Sequence, residues 1–87
     1  MNNNYILESL ASDLKRVALG LHRGSNIMAD RFLDEALKRK SEIEMKNLSP
    51  YIQNLLKRLS KNIDAEDALM YSTIIQNYTR YKKSSSF

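Results

Sequence analysis

The chain has 87 residues, 43% of them hydrophobic and 28% charged, with a formal net charge of +4 and no cysteine. That is enough for one domain burying only about 60–65% of the surface its unfolded form exposes, and the composition excludes an intrinsically disordered chain and a disulfide or thiolate-metal scaffold. The longest apolar run, Ala68 to Tyr71, falls far short of the roughly 20 residues that cross a bilayer, and Met1 to Asn4 gives no basic start to a signal sequence, so a cytoplasmic protein is expected.

Two glycines and one proline, set against plentiful Leu, Ala, Lys, Glu and Arg, favour long helices over strands. The first helix is predicted over 4–22, where Leu7, Leu10, Leu14, Val17 and Leu21 recur at spacings of three and four with Ala11 and Ala18 beside them. Glu8, Ser9, Ser12, Asp13, Lys15 and Arg16 are assigned to its solvated face. Asn4 is the expected cap and Gly24 the expected terminator, while Gly20 fits either a close helix crossing or an earlier end.

Ser25 is the predicted N-cap of a second helix over 26–46, with Ala29, Phe32, Leu33, Ala36, Leu37 and Ile43 inward. Asp34 with Lys38, Glu35 with Arg39 and Glu42 with Lys46 are acid-before-base pairs four residues apart, each worth about 0.2–0.5 kcal/mol on an exposed helix. The run from Lys38 to Glu42 has nothing to bury, so the last turns are expected to project beyond the core.

Ser49-Pro50 pairs a favoured cap with a residue whose missing N–H would be unbonded at the first helical position anyway. The third helix, over 50–61, turns Tyr51, Ile52, Leu55, Leu56 and Leu59 inward and places Lys57, Arg58 and Lys61 at the negative end of its dipole. Asp64 opens the fourth, over 65–83, with Glu66 and Asp67 in its first turn and Arg80, Lys82 and Lys83 in its last. Ala68, Leu69, Tyr71, Ile74, Ile75 and Tyr78 give that helix a wide apolar face, and a frayed tail is expected over 84–87. With loops of about two to four residues, the expected fold is an all-α, antiparallel four-helix bundle of up-down-up-down order with helix 3 the shortest. A homodimer in which the long helices of one chain cover the excess apolar face of the other is the rival arrangement.

No constellation of reactive groups emerges. His22 is the single histidine, and His22-Arg23-Gly24-Ser25 lacks the mid-helix position and spacing of phosphotransfer bundles, so the helix dipole accounts for it. Neither a second His nor a Glu-x-x-His pair supports a metal, no Ser and acid are placed beside His22, and no glycine-rich loop offers a phosphate cradle. A protein without catalysis, cofactor, metal or small-molecule substrate is therefore expected.

The constellation retained is Tyr71, Tyr78, Arg80, Tyr81, Lys82 and Lys83, where rings alternate with cations. It reads as a platform for single-stranded nucleic acid, as a contact patch for a protein, or as core tyrosines followed by helix-ending cations, the last being favoured. The leading functional reading is a protein-interaction module, self-associating through the apolar excess of helices 3 and 4. The second is a basic nucleic-acid binder using Lys57, Arg58, Lys61 and Arg80 to Lys83, and a helix-turn-helix at helices 2 and 3 is disfavoured by the length of helix 2. In being short, basic, cysteine-free and four-helical, the chain also resembles the bacteriocin immunity proteins. That resemblance is of class rather than motif; it implies a membrane receptor as partner, with or without its toxin, and protection of a sensitive host on expression.

Overall fold

The computed structural model describes the backbone of residues 3–84 and the side chains of residues 3–81. Four α-helices follow in order, α1 (Asn3–His22), α2 (Asn26–Ser41), α3 (Pro50–Arg58) and α4 (Ala65–Ser84), with a 3-10 turn at Met45–Asn47 between α2 and α3. They form an antiparallel up-down-up-down bundle in which α1 packs against both α2 and α4 and α3 is the shortest helix. The register of α1 and α4 shows their opposed directions, since Ala68 lies with Val17 and Ala18 whereas Ile75 lies with Leu7 and Leu10.

The central position of α1 follows from its sequence. Leu7, Ala11, Leu14 and Ala18 form one stripe and Ile6, Leu10, Val17 and Gly20 a second, so the helix has two buried faces. Each fully buried Leu is worth about 1.5–3 kcal/mol relative to exposure. On the α2 side the approach is close: a Cβ added at Gly20 would stand 2.9 Å from the Ala29 backbone nitrogen. Gly20 thus serves the helix crossing, and α1 continues past it to His22.

The helix ends follow local chemistry. Gly24, at φ +73°, terminates α1 in a Schellman arrangement: the Ser25 N–H donates to the Gly20 carbonyl at 2.8 Å and the Gly24 N–H to that of Leu21 at 3.2 Å. Ser25 then caps α2, its hydroxyl accepting from the Met28 N–H at 3.3 Å. The Ser49 hydroxyl accepts from the Ile52 N–H at 3.4 Å with Pro50 at the first position of α3, and Asp64 accepts from the Asp67 N–H at 2.8 Å to open α4.

Several expectations are corrected. Asn4 lies inside α1, which begins at Asn3 among the described residues. Helix α2 ends at Ser41 rather than near residue 46, and α3 ends at Arg58 rather than 61, so the connections 42–49 and 59–64 exceed the short loops expected. Instead of projecting past the core, the chain turns back after Ser41 and buries Ile43 and Leu48 in the larger core cluster, the one that holds Ile6, Leu7 and Ile52. Within the run expected to bury nothing, Arg39 holds a buried carboxylate and the Lys40 ammonium donates to the Leu59 carbonyl at 3.1 Å, beyond the end of α3. Tyr51 and Leu69, assigned inward, are exposed. Helix α4 continues through Ser84, and the remainder of the expected tail, 85–87, lies outside the described residues.

Candidate interaction surfaces

Asp13, assigned to the solvated face of α1, is buried. It occupies the register of Leu10 and Val17 that meets α2, and there Arg39 Nε donates to its Oδ2 at 2.8 Å while Arg16 Nη1 stands 3.8 Å from Oδ1. The hydrogen bond to Asp13 is the main reason the Arg39 guanidinium is held above even the usual arginine range. Arg16 also stacks over the Phe32 ring, 5.5 Å from its centroid. The arrangement ties α1 to α2 and leaves the carboxylate committed to structure.

Two of the predicted site tyrosines belong to the core. Tyr71 and Tyr78 are half-buried against the larger apolar cluster, and the Tyr78 hydroxyl accepts from the Ser49 N–H at 3.3 Å, joining α4 to the start of α3. Tyr81 and Arg80 are exposed, whereas the side chains of Lys82 and Lys83 lie outside the described residues. Lys57, Arg58 and Lys61 are exposed at the far end of α3, about 13 Å of helix from the Ser49–Tyr78 junction at 1.5 Å per residue. Lys57, Arg58 and Lys61 therefore sit at the opposite end of α3 from Tyr78 and the adjoining Arg80.

Tyr78 and Tyr81 instead meet residues that the sequence reading did not group with them. Together with Tyr51, Ile52, Ile74 and Asn77 they line an open groove of about 360 Å³ between α3 and α4. Tyr51 is 63% exposed and Tyr81 71% exposed, so their rings stand at its lips.

A second, larger trough of about 540 Å³ runs between α1 and α4. Its presence follows from the face by which α4 meets the bundle. The buried positions Ala68, Ser72, Ile75 and Thr79 recur at spacings of four, three and four, and two of them are polar. Both hydroxyls are bonded to backbone carbonyls, Ser72 to Ala11 at 2.6 Å and Thr79 to Gln76 at 2.8 Å, which is what allows their burial. Because this small, partly polar stripe packs inward, Leu69 and Met70 turn outward. A three-four spacing count that admits hydroxyl residues makes this stripe a candidate, but it admits the exposed Leu69 and Thr73 as well, and the Ala11 carbonyl that receives Ser72 comes from another helix. Among the described residues no three His, Cys, Asp or Glu side chains converge, and none of the helices is long and apolar enough to cross a membrane.

The sequence matches no known protein-family model, and no curated protein or solved structure matches it.

Proposed function

We propose that the chain is a non-enzymatic interaction module that binds a protein, and a second copy of itself, through the tyrosine-lined groove of α3 and α4. The observation that supports this most directly is the pair Tyr51 and Tyr81, exposed on either side of Ile52, Ile74 and the rim of Tyr78. Large, rigid aromatic groups around an apolar floor contribute strongly to protein interfaces because they bury much area for little lost side-chain freedom. Light scattering over a range of concentrations tests the self-association. The expected result is a mass that rises toward twice that of the monomer and returns to the monomer value when Tyr51 and Tyr81 are both changed to Ser. A constant monomer mass at high concentration disposes of the homodimer.

A second reading is favoured by one further feature of α4: after Asp67 the chain carries no acid, and Arg80 and Tyr81 are exposed just before Lys82 and Lys83. Rings beside cations suit stacking and phosphate contact with a single strand. Salt separates the readings, since phosphate-driven binding falls steeply between about 50 and 200 mM whereas an apolar protein interface changes little.

A further inference from the structure

The trough between α1 and α4 shares no lining residue with the tyrosine groove. Its floor is Ala11, Ala18 and Ser72, all buried, with the Ser72 hydroxyl proton already donated to Ala11. Leu19 and Leu69 border it from α1 and α4, 42% and 45% exposed. Lys15, Arg16 and His22 also line it, and among the described residues no carboxylate does. Arg16 is partly committed to Asp13 and Phe32, whereas Lys15 is exposed and forms no ion pair among the described residues.

The form of the trough points to the class of occupant. A small molecule is held well when most of its surface is covered, and a trough open along one side leaves that side wet. An amphipathic helix supplies its own polar face to the open side. From Ser12 to His22 the trough spans about 15 Å of α1, or roughly three helical turns at 1.5 Å per residue. Small residues on the floor allow a third helix to approach within the ordinary interaxial distance of about 8–10 Å. With cations on the α1 wall and only Gln76 as a polar group toward the end of the α4 wall, charge complementarity calls for acids on one flank of the incoming helix.

We propose that the α1–α4 trough docks an amphipathic helix of a partner protein, its apolar stripe against Leu19, Leu69 and the alanine floor and its acidic flank against Lys15 and the neighbouring Arg16. The site stands independently of the tyrosine groove, and either reading can fail alone.

The test is a displayed library of helical peptides of about 15 residues, varied among Leu, Glu, Lys and Gln at exposed positions and selected against the full chain. The expected winners carry apolar residues at three-four spacing with Glu along one flank. Their binding should fall at least about tenfold on Lys15→Glu, disappear on Ser12→Trp, which fills the trough from an exposed position, and stay unchanged on Tyr81→Ser. Circular dichroism checks that each variant folds, and Lys15→Glu decides the matter should Ser12→Trp not. No enrichment, enrichment without acidic bias, or indifference to Lys15→Glu overturns the proposal. So does a dimer that Lys15→Glu dissociates, because a second copy would then occupy the trough.

Discussion

Asp13 is held in a register where an apolar residue would serve packing equally well, and its burial depends on Arg39. Arg39→Ala leaves the carboxylate with only Arg16 at 3.8 Å. Breaking a buried pair costs several kcal/mol, but the Arg39 side chain is 35% exposed and water reaches it, so the expected loss is about 1–2 kcal/mol by urea denaturation. The double change Asp13→Leu with Arg39→Leu should recover most of it; an unchanged midpoint for Arg39→Ala would refute the assignment. A guanidinium raised above its unfolded value stabilises fully at every pH below that value and loses this only as pH climbs through the raised one. Raising the pH from neutral toward the tyrosine range should therefore leave the Arg39 contribution intact, as a double-mutant cycle repeated at each pH would show. Gly20 is the other residue whose role is set by a neighbour. Gly20→Ala gains about 1 kcal/mol of helix propensity but drives a methyl to 2.9 Å from the Ala29 backbone nitrogen, and a net loss of about 1 kcal/mol in thermal denaturation is expected.

At the scale of the elements, the starts of α2, α3 and α4 were legible because each is written in a few adjacent residues: the side chains of Ser25, Ser49 and Asp64 each accept from the amide three positions on. The end of α2 was not legible. No Gly or Pro marks it, and residues 42–46 could continue a helix; what stops it is the burial of Ile43 and Leu48, together with the long-range contacts of Arg39 and Lys40. Ile43→Ala removes the first of those anchors and should cost about 2–3 kcal/mol, near the low end for a buried Ile because the site lies at the core edge. Amide exchange should quicken across 43–59 more than in α1. Uniform acceleration along the chain would show that the connection has no anchoring role of its own.

For the whole molecule, the core divides into a larger cluster around Leu7, Leu10, Leu56 and Ile75 and a smaller one around Val17, Ala29 and Ala68, and Leu37 and Ile63 pack against both. That shared contact predicts one cooperative transition: helix content by circular dichroism and tyrosine fluorescence should trace a single urea curve, and separated midpoints would mean that the clusters fold apart. The sequence by itself determined the helical class, the seam of α1, three of the helix starts and the glycine that ends α1, because propensity, periodicity and capping act over four residues or fewer. Tertiary structure alone decided that Asp13, Ser72 and Thr79 go inside while Tyr51 and Leu69 face out, and so where the two surface grooves lie. The reason is that a polar group can be buried once a partner from elsewhere in the fold satisfies it, or, as with Thr79, once a local carbonyl does so inside a packed face. Such partners are 26 and 61 positions away for Asp13 and Ser72, and no local pattern in the chain encodes a distance of that kind.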